Sequence, residues 1–124
     1  IVQAAELDGV VVVTNPQEVA LIDARKAIGL FERVETPILG VIENMSYFQC
    51  PSDGKIYHIF GEGGGEREAA KLGVPLLGKI PLDIATRSGG DEGRPVALED
   101  PEKNPVSAAF RQVAEQCARV VLDR

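Results

Sequence analysis

Apolar residues follow two different rhythms along this chain. Val10-Val11-Val12-Val13 is an unbroken β-branched run behind the turn signal Asp8-Gly9. Such a run predicts a strand buried on both faces, as in a parallel sheet. Asn15-Pro16-Gln17-Glu18 then carries helix-start chemistry. Asn15 can accept from free N–H groups, Pro16 has its φ preset for the first helical position, and Glu18 sits three after the cap. Leu21, Ala24, Ile28 and Phe31 recur at helical spacing and predict a core face. Pro37 stops the helix, and the Ile-Leu-Gly-Val-Ile run at 38–42 predicts a second buried strand.

A strand, a helix and a strand in this order predict parallel neighbours joined by a right-handed crossover. The theme repeats more loosely. Residues 66–72 predict a short helix, Gly73 its C′ residue, and residues 76–80 a third strand. The span 104–124 predicts an amphipathic helix, with Val106, Ala109, Phe110, Val113, Cys117, Val120 and Val121 on one stripe. The fold class is therefore α/β, a parallel β-sheet with flanking helices. Open sheets of this kind bind ligands beyond the carboxyl ends of their strands. Those ends carry Thr14-Asn15, Glu43-Asn44 and Pro81-Leu82-Asp83, which makes them the places to look for a site.

Composition narrows the function classes. The length of 124 residues suits one small domain. A hydrophobic content of 44% fits a globular chain and not a disordered acidic tail. The formal charge of −6 argues against a general nucleic-acid binder, whose phosphate contacts need clustered Lys and Arg. No apolar run approaches the ~20 residues that span a bilayer, and residues 1–6 carry no basic leader pattern. The last helix mixes Arg111, Arg119 and Arg124 with Glu115 and Asp123, which predicts packing on the sheet and not a membrane-surface helix. Two Cys and one His exclude a self-contained tetrahedral zinc site of the usual Cys/His type and a disulfide scaffold.

Few segments carry chemistry. Gly73-Val-Pro-Leu-Leu-Gly-Lys-Ile80 imitates a phosphate loop, but it leads into a strand and has Ile80 where a Ser or Thr would hold Mg²⁺. It reads as structural. Gly61-Glu62-Gly63-Gly64-Gly65 precedes a helix and offers either backbone amides to an anion or a tight packing turn. Glu66 there would repel a phosphate, so the packing reading is preferred. Cys50, beside Pro51 in a loop after the second strand, is either an incidental thiol, a metal or cluster ligand, or a reactive thiol. Cys117 reads as a buried structural thiol, and His58, between Tyr57 and Ile59, as a hydrogen-bonded structural histidine. Asn44 offers a donor and an acceptor, suited to a purine edge or to a turn.

An ordered set of these segments resembles one family. The set is Asp8-Gly-Val-Val-Val-Val-Thr-Asn-Pro-Gln-Glu-Val-Ala-Leu-Ile-Asp-Ala, then Pro37-Ile-Leu-Gly-Val-Ile-Glu-Asn-Met-Ser-Tyr-Phe, then Cys50-Pro, then Ile59-Phe-Gly-Glu-Gly-Gly-Gly, then Gly73-Val-Pro-Leu-Leu-Gly-Lys-Ile-Pro-Leu-Asp. It is similar to the Mrp/ApbC-type iron–sulfur cluster carriers, a branch of the MinD/ParA-like P-loop ATPases. The resemblance implies a cytoplasmic homodimer that binds ATP and holds a labile [4Fe–4S] cluster for apo iron–sulfur proteins, with no nucleic acid or membrane as partner. A Cys-Pro-x-Cys motif from each subunit would bridge the cluster. Cys50 matches the first cysteine, and Asp53 stands at the second. Asn44 would contact the adenine, with Pro81, Leu82 and Asp83 lining its pocket.

The same resemblance implies that residues 1–124 are a partial domain, the C-terminal portion of the ATPase. The phosphate loop and the Mg²⁺ site would lie upstream, so this chain alone would not hydrolyse ATP. Two other readings stay open: a MinD/ParA-like ATPase without a cluster role, and a non-enzymatic partner-binding module. Three strong strands are few for a four-valine strand that expects neighbours on both sides, which predicts an exposed apolar sheet edge.

Overall fold

Two apolar clusters, one on each face of a small parallel sheet, organise the molecule. The computed structural model describes residues 7–122; residues 1–6, on which the leader reading rests, and 123–124, the predicted end of the last helix, lie outside the described residues. In chain order the elements are β1 (Val10–Thr14), α1 (Glu18–Arg33), β2 (Ile38–Glu43), β3 (Phe48–Gln49), β4 (Ile56–Tyr57), α2 (Gly64–Leu72), β5 (Leu76–Lys79), α3 (Ile84–Asp91), a 3-10 turn (Val96–Leu98) and α4 (Pro105–Leu122).

The sheet order is β1-β2-β5, with both pairings parallel. The expected strand–helix–strand unit is therefore present, with β2 in the centre. Neighbouring residues of β1 serve opposite faces, as a pleated strand requires. Val12 packs with Ala24 and Ile28 of α1, while Val11 packs on the cluster of Ile42, Leu77, Ile80, Val106 and Val113. α1 and α2 cover the first face and α4 the second.

Local details depart from expectation where side chains found other partners. Asn15 does not cap α1. Its Oδ1 accepts from the Gln17 N–H at 2.9 Å, a local turn, and the helix starts at Glu18 behind Gln17. Asn104 does cap α4, accepting from the N–H groups of Val106 and Ser107 at 3.0 and 3.1 Å. On that helix Val106, Ala109 and Val113 are buried, and Cys117 and Val120 pack partly buried on the cluster. Phe110 and Val121, expected on the same stripe, are exposed. Phe31 is half-buried. Gly73 ends α2 in the left-handed region at φ 69°, as its expected C′ role requires, and the Val74 N–H closes the turn on the Ala69 carbonyl at 3.0 Å.

Candidate functional site

The carboxyl ends of the strands are laced together by backbone hydrogen bonds that extend past the sheet. The Asn44 N–H donates to the Thr14 carbonyl at 2.7 Å, the Ser46 N–H to Ile80 at 3.0 Å, and the Leu82 N–H to Tyr47 at 2.7 Å. This lacing fixes the residues after β2 and β5 relative to one another. Asn44 lines an open groove of about 480 Å³ between β1 and α1. Pro81, Leu82 and Asp83 line a smaller cleft of about 220 Å³ with Tyr47, Gln49 and Asn104. The four residues expected around an adenine thus share the strand-end region but not one cavity. The Asp83 carboxylate caps α3, accepting from the Thr86 N–H at 2.9 Å and the Thr86 hydroxyl at 2.7 Å. An Asp followed three residues later by Thr was the available signal for this cap, although α3 itself lacks an apolar face strong enough to announce it.

Glu43 is the residue that sequence reasoning underrated. It ends β2 with 1% of its surface exposed. Its Oε1 accepts from the Ser46 hydroxyl at 2.5 Å, and its Oε2 accepts from the Gly65 N–H at 2.6 Å. Gly65 lies in the first turn of α2, so a buried carboxylate meets the positive end of that helix from another element. The glycine-rich segment is therefore a packing device. A Cβ on Gly65 would stand 2.7 Å from Glu43 Oε2, and one on Gly64 would stand 2.9 Å from the Pro16 carbonyl oxygen. Where an external anion would sit on the Gly65 amide, the protein has its own carboxylate. The imitation phosphate loop likewise proves structural, since its second half is β5.

Cys50 stands at the base of a hairpin turn that the hydrophobic pattern did not predict. β3 and β4 form a two-stranded antiparallel hairpin, with Phe48 opposite Tyr57 and Gln49 opposite Ile56. Cys50 leaves β3 half-buried, its N–H donating to the Lys55 carbonyl at 2.9 Å and its carbonyl accepting from the Gly54 N–H at 2.8 Å. Residues 51–59 are exposed. Asp53 Oδ1 accepts from the Lys55 N–H at 2.8 Å, and Oδ2 accepts from the Tyr57 hydroxyl at 2.7 Å. The Tyr57 hydroxyl first, then the Lys55 amide and the Cys50 thiol, hold the Asp53 carboxyl below its ordinary range against a small opposing effect of burial. The same bond to Asp53, with burial and the nearby Cys50, raises the Tyr57 phenol. His58 follows β4 exposed, with Nε2 3.4 Å from Glu62 Oε1, so its polar partner is a surface carboxylate. Among the described residues no group of three or more His, Cys, Asp or Glu could hold a metal ion within one chain.

The expected open edge is present. Among the described residues β1 pairs with β2 alone, on one side. Val13 is 59% exposed, and the groove beside it is floored by Ala20, Ala24, Ala27 and Phe31 of α1. No described helix is long and apolar enough to cross a membrane.

Comparison with known proteins identifies relatives of the chain. A family profile described as ParA, NUBPL iron-transfer P-loop NTPase, matches residues 1–118. An iron-sulfur cluster carrier protein of Pyrococcus horikoshii is 47% identical over 116 residues, covering 94% of this chain and 39% of that protein. An Arabidopsis thaliana protein named iron-sulfur protein required for NADH dehydrogenase, mitochondrial, is 44% identical over 117 residues, covering 94% and 37%. Among solved structures, a nucleotide-binding protein of Archaeoglobus fulgidus in complex with ADP aligns with a TM-score of 0.67 at 37% identity, over 79% of this chain and 40% of that one. The cell division ATPase MinD of Pyrococcus furiosus aligns with a TM-score of 0.67 at 29% identity, over 91% and 43%. The chain spans about two fifths of the length of the curated relatives it matches. The parallel sheet agrees with the profile match over nearly the whole length, and the chain belongs to the ParA/NUBPL family of iron-transfer P-loop NTPases.

Proposed function

We propose that this chain is the C-terminal portion of a cytoplasmic, ATP-binding iron–sulfur cluster carrier. Two copies hold a labile [4Fe–4S] cluster between their Cys50 hairpins and pass it to apo iron–sulfur proteins. The observation that carries this reading is the placement of Cys50 at the base of an exposed hairpin turn, beyond the carboxyl end of β2. A thiolate there can reach a second copy and a recipient, whereas Cys117 packs against the apolar cluster under α4. Among the described residues no three His, Cys, Asp or Glu side chains gather to hold a metal, so a cluster on Cys50 calls for ligands from a second copy. The strand-end residues Asn44, Pro81, Leu82 and Asp83 serve the adenine side of the nucleotide. The glycine-rich segment does not cradle the phosphates, because the Gly65 amide is already taken by Glu43, and polypeptide outside these residues holds them with Mg²⁺.

The test is anaerobic reconstitution of the full-length protein with iron and sulfide, read as thiolate-to-iron absorbance in the visible range. Wild type is expected to develop the band and Cys50→Ala to lose it. No band in wild type, or an unchanged band in Cys50→Ala, would sink the carrier role.

A further inference from the structure

We infer that Asp53 is a positioning residue that clamps the hairpin behind Cys50, with Tyr57 as its partner, and is not an iron ligand. This inference rests on the carrier reading for its consequence and on the hairpin alone for its geometry. Both oxygens of the Asp53 carboxylate are engaged. One takes the Lys55 N–H at 2.8 Å from the returning strand, and the other takes the Tyr57 hydroxyl at 2.7 Å. Lys55 in turn supplies the carbonyl that accepts the Cys50 N–H at 2.9 Å. Asp53 thus grips the residue that pairs with Cys50, and Tyr57 grips Asp53 from the strand opposite Phe48.

Short hairpins have little stability of their own. This one has two paired residues on each strand, and the exposed stretch 51–59 supplies no core. A carboxylate with two donors replaces part of that missing stability. Each carboxylate oxygen already accepts one hydrogen bond, so an iron ion would compete with the Tyr57 hydroxyl and the Lys55 amide for the same oxygens. A carboxylate is also a harder ligand than thiolate and suits a cluster less well. Two copies therefore offer the cluster two thiolates, one from each Cys50.

The discriminating variant is Asp53→Asn. Its carbonyl can still accept from the Lys55 N–H, and its amide can donate to the Tyr57 oxygen, but it offers iron no anionic oxygen. Asp53→Ala removes both contacts, and Tyr57→Phe removes one. In the full-length protein, hydrogen exchange at the Lys55 amide and anaerobic iron loading are measured on the same set. The expected result is a protected Lys55 amide in wild type and Asp53→Asn, exchange roughly tenfold faster in Asp53→Ala, and an intermediate rate in Tyr57→Phe. Iron content and the visible band should follow the same order, with Asp53→Asn like wild type. Amides of Val41 and Val113 serve as the check that the fold is intact. Loss or displacement of the band in Asp53→Asn while Lys55 stays protected would make Asp53 a ligand and overturn the inference. An unprotected Lys55 amide in wild type would overturn it as well. If wild type takes up no iron, the carrier reading fails, while the Lys55 exchange rates still decide whether Asp53 is the clamp.

Discussion

The Glu43 carboxylate and the Gly65 amide, 22 residues apart in sequence, meet in a buried hydrogen bond of 2.6 Å. It ties the end of the central strand to the start of α2, and it holds only because residue 65 has no side chain. Gly65→Ala should therefore destabilise the protein by about 1–3 kcal/mol, the usual cost of forcing extra volume into a packed site. Glu43→Ala should cost about 1–3 kcal/mol by a different route, leaving the buried Gly65 N–H without its acceptor. Urea denaturation followed by circular dichroism reads both. A Gly65→Ala variant with an unchanged midpoint would show that the close approach is not tight in solution.

Acid should weaken the packing of α2. Glu68, buried on that helix, lies 2.5 Å from Arg25 of α1, and the Arg25 bond is the main cause holding its carboxyl below the ordinary 4.5. Glu66 is lowered in the same direction by Lys79, 2.5 Å away on β5. A carboxyl depressed in the folded state contributes stability that is present above its unfolded value. That contribution is lost as pH falls through the folded value. Urea midpoints taken from about pH 6 down to about pH 3 should fall. The fall should be shallower in Glu68→Gln, which starts from a lower midpoint at neutral pH. Parallel curves for wild type and Glu68→Gln would remove the pair from the account.

The free edge of β1 should make the 124-residue chain self-associate. Val13 is exposed on an uncharged valine strand, whereas β5, the other edge, is short and carries Lys79. Charged, short edges resist strand addition and flat apolar ones invite it. Sedimentation velocity should show concentration-dependent association in wild type and a monomer in Val13→Lys. A wild-type chain that stays monomeric at high concentration would refute this.

Glu35 follows α1 at φ 58°, a left-handed conformation unfavourable for a residue with a side chain. The Thr36 N–H still closes the turn on the Phe31 carbonyl at 2.9 Å, the arrangement that Gly73 makes at the end of α2. Glu35→Gly should stabilise the chain by about 0.5–1 kcal/mol by relieving this conformation. A thermal melt checks it, and an unchanged or lower midpoint would count against the strain.

Sequence alone determined the architecture. The valine run, the 38–42 run and the helical spacing of Leu21, Ala24 and Ile28 encode which faces are buried, and that periodicity is a property of single elements. It also located the strand ends, Cys50 in the loop beyond them, and the open β1 edge. Only the tertiary structure decided what those residues touch. The hairpin around Cys50 is two residue pairs long and has too few apolar positions to announce itself. Asn15 turned to Gln17 and left α1 uncapped, while Asp83 became the cap of a helix with no buried residue. Phe110 and Val121 were left in solvent although they share the helical stripe. The role of Gly65 depended on a carboxylate 22 residues away, and the role of Asp53 on a tyrosine across the hairpin. Burial faces are written in local spacing, whereas hydrogen-bond partners depend on which atoms the folded chain brings within 3 Å, and no local pattern encodes that distance.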